Sequence, residues 1–274
     1  MKPIVFILFL VTIISCNKQP TSNSPDNNIA FSETKTDVDS TNLIKKEKQI
    51  LKIHKAILKA FENDRNDSLI VINSKKITDS IIHLIKNNPN TFNYSFELLQ
   101  KENAINLISS ADDKLRVYSW NNHLGGTMRF FNQIFQFKSN EQITTDVHLA
   151  EKDPQAFFSK IYTVQNKKNE NIYLVISNSI LSSKYSVQHI NAYKIDTGKL
   201  YKIPVFKTNT NTLDQISVEY DFFSTVERPE RPVELITLDQ NKLKIALVNE
   251  DLNVTDKNLI YEWNGELFKY KGVE

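Results

Sequence analysis

Residues 216–223 read Ile-Ser-Val-Glu-Tyr-Asp-Phe-Phe, and this alternation of apolar and polar side chains decides the fold class of the chain. A period of two places Ile216, Val218 and Tyr220 on one face of a β-strand and the polar residues on the other. Similar alternation, or a short apolar run, recurs along the chain after residue 92. Further strands are predicted over 114–120, 128–137, 172–177, 190–195, 200–206, 233–238, 243–248, 259–263 and 267–270.

Short polar turns separate these strands and favour antiparallel hairpins. Asp196-Thr197-Gly198, Asp239-Gln240-Asn241 and Asn264-Gly265 each suit a tight hairpin turn. The hairpins around these turns resemble the inner hairpins of β-propeller blades, but the chain holds only five glycines and shows no repeat of about 40–45 residues. The residues therefore predict an antiparallel meander that is either propeller-like or a sandwich or open barrel.

The segment before residue 93 has a helical pattern instead. Leu43, Ile50 and Ile57 recur every seven residues, and lysines occupy the outward positions between them. This spacing predicts an amphipathic helix of about twenty residues that begins near Ser40. A second helix is predicted over 79–86, where an Asn-Asn-Pro sequence ends it.

The first sixteen residues have the features of an export signal. Met1-Lys2 is followed by an apolar run from Ile4 to Ile14, which spans roughly 16 Å as a helix. That length is too short for the hydrocarbon core of a bilayer, which is about 30 Å thick. A basic start, a short apolar run and a small residue before the break are typical of a secretory signal peptide.

Ile13-Ile14-Ser15-Cys16 resembles the lipobox of bacterial lipoproteins. The resemblance implies that residues 1–15 are removed and that Cys16 is acylated, with palmitate among the acyl chains, which anchors the protein in a membrane. Aspartate after the cysteine marks inner-membrane retention in such lipoproteins, so Asn17 implies the outer membrane. No acidic cluster follows at once, which favours a protein that faces the periplasm rather than the cell surface. An ordinary signal peptide followed by an incidental cysteine is the alternative.

These patterns divide the chain into four parts and predict an α+β fold. A signal peptide over 1–15 and a lipidated, polar tether over 16–40 precede a helical segment over 41–92. A large antiparallel β domain over 93–274 follows.

Composition and motifs exclude several classes of function. Cys16 is the only cysteine among 274 residues, so disulfides and thiolate-bound metals are excluded from the chain after it. A net charge of +2, with basic and acidic residues spread evenly, argues against a nucleic-acid-binding protein. No glycine-rich nucleotide motif occurs, and His54 lies on the apolar stripe of the first helix, so no cofactor and no metal is predicted.

The richest group of candidate ligand-binding residues lies between residues 112 and 131. On the strand over 114–120, alternate side chains share one face at intervals of about 7 Å. A Gly125-Gly126 pair then allows the tight turn that leads into the next strand. Aromatic rings beside guanidinium and amide groups suit sugar rings or extended peptides. The candidate residues are Arg116, Tyr118, Trp120, His123, Arg129 and Phe131.

A structural role for the same segment is the alternative. In that interpretation Tyr118 and Trp120 are core residues under a helix, and Arg116 pairs with Asp112 or Asp113.

Two carboxylates on the polar face of the 216–223 strand are the weak candidates for catalysis. Glu219 and Asp221 are separated by about 7 Å, within the range of about 6.5–9.5 Å that inverting glycosidases use. Paired carboxylates on a solvated strand are also an ordinary surface feature. The proline-containing segment over 226–232 is predicted to be an ordered connection held by salt bridges of Arg228 and Arg231.

The sequence thus predicts a membrane-anchored envelope lipoprotein whose β-rich domain binds a glycan, a peptide or another envelope protein without catalysis. A hydrolase of glycans or cell-wall material is the main alternative. A third possibility is a scaffold that docks onto a partner through the helix stripe from Leu43 to Phe61.

Overall fold

The computed structural model describes residues 35–62, 65–151, 153–225 and 231–274. The predicted signal peptide, Cys16, Asn17 and most of the predicted tether lie outside these residues. Within them, no helix is both long enough and apolar enough to cross a membrane.

Two long helices form the predicted helical pair. They are α1 (Lys35–Glu62) and α2 (Asp67–Asn87), and a short helix α3 (Glu97–Lys101) follows a single 3-10 turn at Pro89–Asn93. The second helix begins twelve residues before the predicted start because Asn66 caps it, its side-chain oxygen accepting from the Leu69 amide at 3.0 Å. The buried stripe of α2 accordingly starts at Ile70.

Fifteen strands of the described chain form three sheets. The first sheet, in the order β1-β2-β3-β4, contains β1 (Asn106–Ser109), β2 (Leu115–Asn121), β3 (Phe131–Ser139) and β4 (Gln142–His148). The second sheet, in the order β11-β7-β6-β5 with β8 paired to β7, contains β5 (Phe157–Gln165), β6 (Asn171–Ile180), β7 (Tyr185–Asp196), β8 (Lys199–Lys202) and β11 (Gln215–Asp221). The third sheet, in the order β10-β9-β15-β14-β13-β12, contains β9 (Phe206–Lys207), β10 (Thr212–Leu213), β12 (Ile236–Asp239), β13 (Lys242–Val248), β14 (Val254–Trp263) and β15 (Phe268–Val273).

The three sheets and the helices stack as four layers, because successive side chains of a strand point to opposite faces. From β2, Tyr118 and Trp120 join the helices in one core, whereas Leu115 and Val117 join the second sheet in another. From β6, alternate residues likewise contact the first sheet or the third sheet. The first and second sheets are therefore covered on both faces.

The α+β class, the N-terminal helical pair and the large antiparallel β portion are confirmed. Helices, rather than a further sheet, cover the outer face of the first sheet, so the sheets form an open stack rather than a closed propeller. One ladder departs from the prediction, since β9 and β15 pair in parallel. The helix stripe is not available for docking, because Leu43, Ile50 and Ile57 are each at most 3% exposed.

Two buried polar side chains connect the layers. Glu47 of α1 is 1% exposed and accepts from the Leu99 amide at 3.0 Å and from the Tyr94 hydroxyl at 2.6 Å. Gln188 of β7 is also 1% exposed and reaches the chain that leads into the third sheet. Its Nε2 donates to the Val233 carbonyl at 2.6 Å, and its Oε1 accepts from the amides of residues 235 and 236, each at 2.9 Å.

Candidate functional site

The segment over 112–131 supplies β2, the loop after it and the start of β3. Gly125 is required in this loop, because a Cβ there would lie 2.2 Å from the Met128 carbonyl oxygen. The predicted tight turn at the glycine pair is wrong, because a nine-residue loop over 122–130 joins β2 to β3 and only Gly125 is closely approached by the backbone. The structure divides the six candidate ligand-binding residues among four environments.

Arg116 lies in the interior, with 7% of its surface exposed. Its guanidinium donates to the carbonyls of Phe92 and Tyr94, and to that of Thr91 at 3.3 Å. Burial lowers the pKa of Arg116. The predicted ion pair with Asp112 or Asp113 is therefore wrong, and the guanidinium binds the turn that follows α2.

Tyr118 is fully buried beside Arg116. Its hydroxyl donates to Gln136 Oε1 at 2.7 Å and lies 3.1 Å from the Thr91 carbonyl oxygen. Burial raises the pKa of Tyr118 well above that of a free phenol. Arg116 and Tyr118 thus form part of the core, and their predicted role in contacting a ligand is corrected to a structural one.

His123 packs against the helices instead of a ligand surface. Its ring centroid lies 5.7 Å from that of His54 and 5.9 Å from that of Phe61. Burial, with smaller contributions from the neighbouring His54 and Arg129, lowers the pKa of His123 to about 4. Arg129 is exposed, and its backbone amide donates to the Ile180 carbonyl at 3.0 Å.

Trp120 and Phe131 are brought together at a cleft of about 390 Å³. Trp120 lines the floor of this cleft with the small part of its surface, 2%, that is exposed. Its indole nitrogen donates to Thr78 Oγ1 at 3.3 Å on the helix side. Phe131 and Phe157 are half-buried, and their ring centroids are 5.1 Å apart at an interplanar angle of 49°. These rings form an aromatic wall where β2, β3 and β5 meet.

Amide side chains border the same cleft and supply both donors and acceptors. Gln100 and Asn103 come from α3 and the turn after it, Asn106 begins β1, and Asn121 ends β2. The Asn106 side chain donates to the Phe158 carbonyl, which ties the edge of the first sheet to that of the second.

Arg231 and Pro232 complete the cleft. The Arg231 guanidinium carbon lies 3.9 Å from the ring centroid of Phe222, and its Nη2 donates to the Ser183 carbonyl at 3.2 Å. Burial lowers the pKa of Arg231, the Arg129 charge lowers it further, and Tyr220 opposes the shift. Among the described residues no carboxylate lies within 4 Å of Arg231, whose guanidinium stacks on Phe222. Arg228 and the glutamates of the segment lie outside these residues, so the predicted salt bridges stay a prediction.

Sequence reasoning missed Phe157, Asn106 and the position of Arg231 in this cleft. Phe157 opens a strand that was not predicted, although its sequence, Phe-Phe-Ser-Lys-Ile-Tyr-Thr-Val, has the aromatic and β-branched content of a strand. Arg231 reaches the cleft only through the folding of a distant segment.

Glu219 and Asp221 lie on β11 and do not line the cleft. Glu219 is exposed, whereas Asp221 is 8% exposed and lies 3.3 Å from the Lys184 ammonium. Asp221 Oδ1 also accepts from the Phe223 amide at 2.8 Å, which caps the short 3-10 turn after the strand.

Within the described part of the chain, no three histidine, cysteine or carboxylate side chains converge on a position that would suit a metal ion. Comparison with protein-family models, curated proteins and solved structures finds no match to this chain.

Proposed function

We propose that the protein is a lipid-anchored envelope protein that binds a saccharide in the cleft between the first and second sheets without transforming it. The Phe131–Phe157 pair, with ring centroids 5.1 Å apart beside four amide side chains, carries this proposal. Acylation at Cys16 and an outer-membrane position facing the periplasm remain part of the proposal and rest on the lipobox resemblance.

The chemistry of the cleft suits a sugar ring. The apolar C–H face of a pyranose packs on an aromatic ring, while amides donate to and accept from its hydroxyls. A volume of about 390 Å³ lies within the range of roughly 300–1,000 Å³ that small-molecule sites occupy. The Arg231 guanidinium at the rim favours a saccharide that carries a carboxylate.

Backbone hydrogen bonding at the cleft favours a saccharide over an extended peptide. A peptide that adds to the β5 edge needs free amides and carbonyls on that edge. At Phe158 both groups are already used, since the amide binds Ser119 Oγ at 3.3 Å and the carbonyl binds Asn106. Side chains, rather than a strand edge, are therefore the recognition elements.

Binding by the purified full chain can be tested by calorimetric titration with neutral and carboxylate-bearing oligosaccharides. We expect Phe157→Ala to weaken binding of the preferred sugar by about tenfold or more, because a stacked aromatic contributes about 1 kcal/mol beyond its buried area. Phe223→Ala is the matched control, since that ring is 58% exposed and does not line the cleft. Equal losses in both variants, or binding of peptides alone, would contradict the proposal.

The anchor is tested separately by metabolic labelling with a palmitate analogue. Incorporation into the wild-type chain and its loss in Cys16→Ala are expected. A labelled Cys16→Ala variant, or an unlabelled wild type, would contradict acylation at this residue.

A further inference from the structure

The outward-facing surface of the helical pair is rich in lysine. Helical residues follow one another at about 100°. The buried residues of α1 include Leu43 and Ile50, which places Lys45, Lys48 and Lys52 on the opposite side. We call this surface of α1 and α2 the outer face; its exposed members are Lys45, Lys48, Lys52, Lys55, Lys59, Ser68, Leu69, Ile72, Lys75, Lys76 and Lys86.

The helical pair concentrates positive charge that the chain as a whole lacks. Residues 35–87, which run from the start of α1 to the end of α2, contain eleven lysine and arginine residues against seven acidic ones, a formal net charge of +4, whereas the whole chain carries +2. Acidic side chains neutralise only part of this charge, since Glu62 and Asp79 are also exposed on the two helices. Glu47 is buried beneath α1, and Asp67 is bonded to Arg65 at 2.8 Å.

Most of the outer-face lysines have no ion-pair partner in the part of the chain that the structure describes. Among the described residues, the ammonium groups of Lys48, Lys52 and Lys59 have no carboxylate within 4 Å. Lys75 pairs with Asp79 at 2.9 Å, and Lys55 pairs with Glu102 at 3.2 Å. The unpaired ammonium groups are free to bind anions.

Exposed aliphatic side chains accompany these lysines. Leu69 and Ile72 lie on the first turns of α2 and are 47% and 49% exposed. Lysines together with exposed aliphatic residues on a helix surface are suited to the headgroup region of a bilayer, where ammonium groups meet phosphates and aliphatic side chains enter the acyl boundary.

We propose that the outer face binds the anionic phospholipid headgroups of a membrane surface. A nucleic acid is less favoured, because Arg65 is the only arginine of the helical pair and aliphatic residues gain nothing from a phosphate backbone. The inference needs neither acylation nor the saccharide cleft. Helix α1 begins at Lys35, 19 positions after Cys16. If Cys16 is acylated as proposed, the acyl chains and the outer face would therefore bind the same bilayer.

The test uses the full chain as Cys16→Ser, which is not acylated, with Ser68→Cys labelled by an environment-sensitive fluorophore. We expect blue-shifted, stronger emission on vesicles containing phosphatidylglycerol, little change on pure phosphatidylcholine, and loss of the response in high salt. Binding through the apolar run over residues 4–14 would not depend on headgroup charge, so it would change the emission equally on both kinds of vesicle. An equal change on neutral vesicles would therefore overturn the proposal. A fluorophore at Glu250→Cys, on the turn after β13, should report no change.

Charge-matched variants test the surface itself. Substituting Lys48, Lys52 and Lys59 by glutamine should weaken vesicle binding about tenfold or more, since each lysine near an anionic surface contributes to binding. The same substitution of Lys244, Lys257 and Lys269 on the third sheet changes the net charge equally and should have little effect. Equal losses in the two triple variants would overturn the proposal, as would binding of duplex DNA without binding of the anionic vesicles.

Discussion

The hydroxyl of Tyr94 donates to the buried carboxylate of Glu47 at 2.6 Å, although 47 positions separate the two residues in sequence. The second carboxylate oxygen of Glu47 accepts from the Leu99 amide, so one side chain of α1 holds both the segment before α3 and α3 itself. Burial and the adjacent carboxylate raise the pKa of Tyr94 well above that of a free phenol, which keeps the hydroxyl protonated as a donor.

Removal of the Glu47 carboxylate should destabilise the fold. We expect Glu47→Ala to lower the free energy of unfolding by about 3 kcal/mol, because two buried donors lose a charged acceptor. Glu47→Gln should cost less, since the amide oxygen still accepts one bond. Urea denaturation checks both values, and Glu62→Ala, an exposed change at the end of the same helix, should stay within about 0.5 kcal/mol of wild type.

Arg116 provides a test of the corrected structural role. Arg116→Lys keeps the charge but offers one nitrogen in place of the two that reach these three carbonyls, so we expect a loss of about 2–3 kcal/mol in the free energy of unfolding. Arg65→Lys, at an exposed arginine, is the control. Unchanged stability together with weaker saccharide binding would instead support the original ligand-binding prediction for Arg116.

The two facing histidines should make stability depend on pH. Burial lowers the pKa of His54, and the pKa of His123 is lowered to about 4, whereas an unfolded histidine titrates near 6.5. Between pH 6.5 and pH 4 the unfolded chain binds more protons at His123 than the folded chain does. The free energy of unfolding therefore falls as the pH drops through this range, by on the order of 2–3 kcal/mol for His123. Above pH 7 both histidines are neutral in the folded and the unfolded chain, so they no longer make stability depend on pH.

The measurement is urea denaturation at pH 7 and pH 5. His123→Asn should reduce the loss between these values, and asparagine suits the positive backbone φ of 61° at this position. His83→Asn, at an exposed histidine on α2, should lose as much stability as wild type. Equal losses in wild type and His123→Asn would show that other groups account for the pH dependence.

The carboxylates of β11 should not affect the cleft. We expect the double variant Glu219→Gln/Asp221→Asn to bind the saccharide as wild type does, and Asp221→Asn alone to lower the stability only slightly, because its Lys184 partner is exposed to solvent. Calorimetry and denaturation check these outcomes. Glycan or cell-wall hydrolysis by wild type that disappears in the double variant would support the hydrolase alternative.

Local sequence pattern predicts the parts of this fold that bury one regular face. The alternation at Ile216–Tyr220 predicts β11, and the seven-residue spacing predicts α1. Each pattern is visible in the sequence because it depends only on residues that are close together along the chain. The strands that the sequence analysis missed include β1, β4 and β5, which lie at sheet edges. Edge strands have one partner and weaker selection for apolar side chains, and β4 is mostly polar.

The candidate site was only partly predictable for a different reason. Trp120 and Phe131 were proposed from a local cluster and do line the cleft, but Phe157 and Arg231 come from distant segments. Whether Arg116 contacts a ligand or a backbone carbonyl depends on which segment packs over β2. The sequence of β2 alone does not indicate which segment that is.

The bonds of Gln188 also bear on the width of the cleft. Sheets that stack through aliphatic contact alone can slide, because dispersion forces have little directional preference. The Gln188 amide fixes the Val233 carbonyl, and Val233 follows Arg231 and Pro232 directly in the chain. A glutamine outside the cleft therefore helps to set the distance between Arg231 and the aromatic wall of Phe131 and Phe157, and with it the width of the opening.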